Sequence, residues 1–481
     1  MLTQTPPKLF QPAAAWVGII GLVLLVLVGT VGHLGGLLRI AFPAASFLVG
    51  GFLFFRYPIL YIGFAWWMWF LTPLVRRLID FESGWVDPSP VLLAPFLVTL
   101  ISLLTFFRQL PKAITGNGLP FVLSMVGVGY GFLVGLLSID SPTGVIVALL
   151  GWLAPIAFGY HLFASWRRFP ELKQVTQRVF LIGILIVGGY GVVQFLVAPA
   201  WDRYWLQNLI SQLGIVTFGK PEPLQIRVFS TMHSPQPFAC FMMAGVLLLL
   251  SIRSPLKIVS SAAGYLSLLL SLARSAWLSW IVGIVVFLPS LKPKLQMRLI
   301  TTLMLMMLVV LPLTTIEPFS TVINSRVQSV FSGSQDTSYV DRSQGFANLL
   351  DEALTEVSGR GIGYTIRDAN IGGNDSGILL LLLTLGWLGS IPYLAGLMLM
   401  VMSILQGREA AVDPFVSACR AIAIAMFAQI SLNAVMVGPF GIVLWSFLGL
   451  AVAARVYYLQ QAQNPLPQLP LFPTERGAKE L

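Results

Sequence analysis

The chain has 481 residues, 57% of them hydrophobic and 10% charged, with a mean hydropathy of +0.84 and a net charge of +10. A soluble domain carries about 25% charged residues, so the composition excludes a water-soluble enzyme and specifies a polytopic membrane protein. Two cysteines, Cys240 and Cys419, both lie in apolar runs; they make no disulfide framework or zinc motif, and no cofactor is expected.

Residues 1–13 are polar and proline-rich. The apolar run after them lacks a small-residue cleavage site, so it reads as a first span rather than a signal peptide. Crossing a bilayer takes about 20 apolar residues per helix. Runs of that kind fall near 14–32, 38–55, 58–75, 90–107, 119–138, 142–163, 179–198, 237–252, 256–272, 275–289, 299–316, 377–404, 415–436 and 440–458. The runs 38–55 and 58–75 are separated only by Arg56 and Tyr57, and 256–272 and 275–289 are short, so the count is twelve to fourteen. The expected fold is all-α: a polytopic transmembrane helix bundle with one long, partly helical loop. Residues 1–13 and 459–481 are tails, 14–316 hold the first eleven spans, 317–376 form the loop, and 377–458 hold the last three spans.

Lys and Arg fix orientation, since they accumulate in cytoplasmic loops. With the N-terminus inside, 18 of the 29 basic residues are inside and acids predominate outside. Both termini are then cytoplasmic, and 317–376 is on the outer face. Of the eleven basic residues outside, only Lys220 is not arginine. The planar guanidinium fork suits bidentate binding of phosphate or carboxylate. The plainer alternative is that these arginines pair with the outer acids.

Four places carry candidate chemistry. The segment 201–236 contains Arg227 and ends in His233-Ser234-Pro235-Gln236-Pro237, whose prolines mark a helix start. His233 is either a solvated loop histidine or a hydrogen-bonding, proton-accepting group beside a bound phosphate. Arg274, in Leu272-Ala273-Arg274-Ser275, has no other charge between Lys257 and Lys292. It lies at the outer tip if 256–289 is a hairpin and within the membrane if it is one broken helix; in both cases it calls for an anion or a lipid phosphate. In the long loop, 318–331 has the spacing of a surface helix. Phe346, Leu349, Leu350, Ala353 and Val357 mark one face of a helix near 339–357, with Arg342 in its first turn and Glu352 and Glu356 on the solvated side. Gly359-Arg360-Gly361-Ile362-Gly363 allows a tight turn or close backbone approach. Asp375, before the Leu-rich span, is an N-cap or a general base.

The ordered set of motifs resembles the O-antigen ligase and polymerase superfamily over about 225–450. It comprises Arg227 with the His233-Ser234-Pro235-Gln236 entry, Leu272-Ala273-Arg274-Ser275-Ala276-Trp277, Ser325-Arg326-Val327, Arg342, and Gly359-Arg360-Gly361-Ile362-Gly363 ahead of Gly386-Trp387-Leu388-Gly389. The resemblance implies a GT-C-like membrane glycosyltransferase of the bacterial inner membrane, active on the periplasmic face in surface or exopolysaccharide biosynthesis. Its donor would be an undecaprenyl-diphosphate-linked oligosaccharide and its acceptor a glycan or lipid, with no metal and no nucleic acid. It gives diphosphate binding to Arg227, Arg274 and Arg342, with Arg326 and Arg360 alongside. Family members commonly have a His-Asn pair where this chain has Asn374-Asp375-Ser376. Asp375 therefore stands in the place of the proposed base, with His233 second, and a polymerase is favoured over a lipid A-core ligase. The rival functions are a solute transporter, including bicarbonate uptake, and a lipid-linked-sugar flippase. Against these stand the lack of a repeat between halves and the near absence of charge within the spans apart from Arg274.

Overall fold

A computed structural model describes residues 13–290, 293, 296, 297, 300, 345, 346, 349–366, 375–407 and 409–463. Among these residues the regular structure is helical, with one isolated antiparallel bridge between Gly219 and Ile226. Nine helical stretches are long and apolar enough to cross a membrane, and four shorter apolar helices pack with them. In chain order the helices are α1 (Ala13–Val31), α2 (Gly35–Arg56), α3 (Pro58–Ser83), α4 (Ala94–Leu100), α5 (Leu103–Thr115), α6 (Leu119–Ser138), α7 (Pro142–Ala164), α8 (Phe169–Val197), α9 (Ala200–Leu213), α10 (Pro235–Leu249), α11 (Leu256–Leu270), α12 (Arg274–Phe287), α13 (Gly377–Gln406), α14 (Pro414–Phe427) and α15 (Gly438–Gln463). The chain is a polytopic helical membrane protein. The expected span 299–316 apart from residue 300, the surface helix 318–331 and the start of the helix near 339–357 lie outside the described residues.

The bundle is built around α10. Pro235 and Pro237 occupy its first turn, where a missing N–H costs nothing. Nearly every one of its residues is buried, because α8, α11, α12, α14 and α15 surround it. Its 15 residues rise about 22 Å, well short of a hydrocarbon core of about 30 Å. It is a core helix that lipid does not reach.

The helices α11 and α12 form a hairpin. A side chain added at Gly264 would strike Val246, and one added at Gly283 would strike Leu247. Both arms thus pack on α10 at one level, whereas a continuous helix would hold these glycines about 28 Å apart. Tyr265 and Trp280 meet edge-to-face across the arms, with ring centroids 5.6 Å apart. The tip is Ser271-Leu272-Ala273, with Leu272 in the left-handed region (φ +54°), and Arg274 follows as the first residue of α12.

Several spans differ from their expected form; α8, for one, begins at Phe169 rather than near 179, and the run 90–107 becomes α4 and α5 and reaches Thr115. α3 runs on to Ser83, so Arg76, Arg77 and Asp80 are helical and buried; charge within the helices is not confined to Arg274. The apolar run 415–436 is helical only to Phe427 and then irregular to 437. α13 is broken at Gly386 (φ +61°, ψ −174°).

That break is closed by the glycine turn of the long loop. The amides of Arg360 and Gly361 donate to the carbonyls of Leu383 and Thr384 at 2.8 and 2.9 Å, and those of Trp387 and Leu388 donate to Glu356 and Val357, both at 3.2 Å. Ile362 then donates to Gly131 of α6 at 2.8 Å. Helix bonds lost at Gly386 are thereby replaced one for one. Irregular backbone at membrane depth is tolerated only when protein satisfies it in this way.

Gly386 has a backbone conformation open essentially to glycine alone, and an added Cβ would lie 2.3 Å from the Gly359 nitrogen. Gly386→Ala should therefore cost about 3 kcal/mol or more and lower the thermal unfolding midpoint in detergent. Gly129→Ala in α6, with nothing within 4 Å of the new Cβ, should leave it unchanged or raise it.

Candidate functional site: the loop end of the bundle

The C-terminal ends of α3, α8 and α11 and the first turns of α10 and α12 gather at one end of the bundle. The segment 198–234 lies over that end. Its helix α9 packs Trp205, Leu206 and Leu209 with Ile226 and Phe229 in a small second core, covered by Trp85 and Phe218. The segment 201–236, expected as a link between two spans, thus holds the helix α9, which is amphipathic and buries one face in this cap.

Arg227 is clasped to the hairpin tip. Its Nε and one terminal nitrogen donate to the carbonyls of Ser271 and Leu272, both at 3.3 Å, and the other terminal nitrogen to Thr217 at 2.9 Å. The amide of Val228 donates to Leu270 at 3.1 Å. Two arginines 47 positions apart in sequence are thus brought to one turn of chain. Arg274 is at the first residue of α12, where the helix dipole is positive and an anion is favoured.

Six residues after Arg227, His233 lies edge-to-face against Trp205, with centroids 5.4 Å apart. Burial, with help from Arg76 and Arg77 and against the pull of Asp87, lowers its pKa to about 4. A neutral imidazole is thereby secured at physiological pH, but one that is a weak proton acceptor.

Beneath His233 lies a charge cluster outside the candidate residues of the sequence. Arg77 is 1% exposed and pairs with the equally buried Asp202 at 2.9 Å. It also donates to the Ser230 carbonyl and lies over the Phe229 ring, 4.8 Å from its centroid. Gln194 of α8 donates to Asp202 at 2.9 Å and accepts from the amides of Phe229 and Ser230 at 3.0 and 2.7 Å. Tyr190 donates to Asp202 at 2.7 Å. Alongside, Arg76 pairs with Asp80 at 3.1 Å and Asp87 at 2.8 Å, and Arg39 with Asp80 at 3.2 Å. The sequence did hold one sign of this: Arg76 and Asp80 are four residues apart, on one helix face.

Asp375 precedes the first turn of α13, but it is Ser376 that caps the helix, accepting from the Leu379 amide at 3.3 Å; the capping role expected for Asp375 is not its own. The amides of Gly377 and Ile378 donate to Ile430. Gln429 in the same segment accepts from Asn433 at 3.0 Å and faces Cys240 of α10. Asp375 therefore enters at the same end of the bundle as His233.

Arg360 belongs to a separate arrangement. It pairs with Glu352 and with Glu356 (3.5 Å), donates to the Tyr364 hydroxyl at 2.5 Å and lies over that ring. Glu352 and Glu356, expected to be merely solvated, are its counter-ions. Phe346, Leu349, Leu350 and Ala353 pack as one face on the first turns of α13, whereas Val357 is exposed. Arg326 and Arg342 lie outside the described residues. No group of three or more His, Cys, Asp or Glu able to hold a metal is present among the described residues.

No family model matches the chain, and no curated protein is significantly similar to it.

A histidine whose pKa is lowered on folding binds fewer protons folded than unfolded as pH falls below its unfolded value of about 6.5. His233 should therefore cost stability progressively between about pH 6.5 and pH 4. His233→Gln should flatten the pH dependence of the unfolding midpoint over that window, measured in detergent, and leave it unaltered above pH 7.

Proposed function

We propose that the chain is a GT-C-like membrane glycosyltransferase that polymerises or transfers glycan from an undecaprenyl-diphosphate carrier, on the periplasmic side of a bacterial inner membrane. One observation carries this reading: Arg227 is fastened to the two carbonyls just ahead of Arg274, at the N-terminus of α12. Two guanidinium groups and a helix dipole at one turn make a favourable place for a diphosphate. Stabilising charge as it grows on the leaving diphosphate is the differential effect that lowers a barrier. The diphosphate is a competent leaving group, so the reaction as written needs only a base for the acceptor hydroxyl. Asp375 fills that role, and the depressed pKa of His233 suits it better to hydrogen bonding. Arg326 and Arg342 in the long loop, read as periplasmic, would complete the anion site. Arg360, neutralised by two acids, is better cast as a fastener of the loop.

A solute transporter is the second reading. The break in α13 favours it, because transporters bind at interrupted helices. In this chain, however, the break is filled by the protein's own backbone.

Reconstitution with a lipid-linked oligosaccharide separates the two. Elongated or transferred product supports the enzyme; tracer uptake without product supports transport. Arg274→Lys and Arg342→Lys should each lower transfer by about 100-fold while the unfolding midpoint holds. Unchanged transfer in both variants would remove them from the site.

A further inference from the structure

The helices α1, α3 and α8 line an apolar cavity of about 640 Å³. Its lining includes Leu60, Phe64 and Leu71 of α3, Val23 of α1 and Val179 of α8. Along α3 it runs from Ile59 to Val75, about 24 Å of helix. That exceeds the ~15 Å that one leaflet of a bilayer provides, so a whole lipid tail fits. α1 is largely uncovered, with Val17, Leu24 and Val28 exposed. The cavity therefore lies beside the lipid rather than deep in the protein.

One end of the cavity is polar, lined by Glu171, Gln174 and Arg178 of α8. The charges there are unequally matched. Glu171 is held by Arg168, at 3.1 and 2.5 Å. Lys173 is held by Asp413 at 2.8 Å. Arg178 is exposed and has no ion-pair partner among the described residues. An apolar slot beside the bilayer, ending at a guanidinium with no ion-pair partner among the described residues, matches a lipid with an anionic headgroup.

We propose that the α1–α3–α8 cavity is a binding site for one anionic phospholipid, its tail in the slot and its phosphate on Arg178. The site is independent of glycan transfer and stands apart from Arg227 and Arg274.

The test uses the full chain in phosphatidylcholine nanodiscs containing a phosphatidylglycerol probe with a photoactivatable diazirine in one tail. Crosslinks are located by peptide mass spectrometry. Labelling should concentrate on 59–75 and 175–182, and a diazirine phosphatidylcholine should label these peptides about fivefold less, the equivalent of the ~1 kcal/mol that one basic residue contributes toward an anionic headgroup. Arg178→Gln, at an exposed position, should abolish the preference; Leu71→Trp, which fills the slot, should reduce labelling by either probe. Equal labelling by both headgroups, a preference that survives Arg178→Gln, or absence of label from these peptides would overturn the proposal. So would competition by a polyprenyl monophosphate but not by unlabelled phosphatidylglycerol, which would assign the slot to a carrier lipid.

Discussion

A backbone amide or carbonyl at membrane depth must find a partner inside the protein, since lipid offers none. The structure around α13 depends on this constraint. Gly386 interrupts the helix, and the segment 356–361 supplies two acceptors and two donors to the ends it leaves. The glycines at 359 and 361, both at positive φ, are what allow the turn to lie against the backbones of α13 and α6 respectively. The long loop is thus anchored by main-chain bonds, independently of whatever its side chains bind. Arg360 strengthens the same anchorage from outside through Glu352 and Glu356.

The second organising element is electrostatic. Arg39, Arg76 and Arg77 meet Asp80, Asp87 and Asp202 at the loop end, three charges of each sign. Removing such groups from water is costly, and their mutual attraction roughly offsets that cost. Their contribution is better measured in geometry than in stability. The Arg77–Asp202–Gln194 set holds the backbone of Phe229 and Ser230, and that backbone carries Arg227 on one side and His233 on the other. The positions of both candidate groups are therefore set from α3 and α8, which carry none of the recognised motifs.

Most of the bundle was legible in the sequence because lipid imposes a simple rule of length and polarity. α6 matched its apolar run end to end, and α1, α2 and α7 nearly so. The rule misjudged charged residues that find partners: Arg76 and Asp80 looked like the start of a loop, yet neutralise each other inside α3. It also misjudged helices shielded by protein, since α10 and α14 have no need to reach the full bilayer thickness. Of the candidate site, the residue types were readable but their neighbours were not. Nothing in the sequence says that Arg227 reaches the carbonyls of 271 and 272, because that contact depends on α11 and α12 folding back upon α10. The Asp375 and Ser376 pair shows the same limit: either side chain is a competent cap, and the local backbone chose the serine.

The enclosure of α10 bears on how the protein is made. Two of its walls, α14 and α15, are encoded more than 160 residues downstream. When α10 emerges from the ribosome those walls do not exist, and a 15-residue segment is too short to settle across a bilayer by itself. Its final placement is a late event, completed when the C-terminal helices close around it. Biogenesis of this bundle is therefore bound to finish in a different order from the one in which its parts are translated.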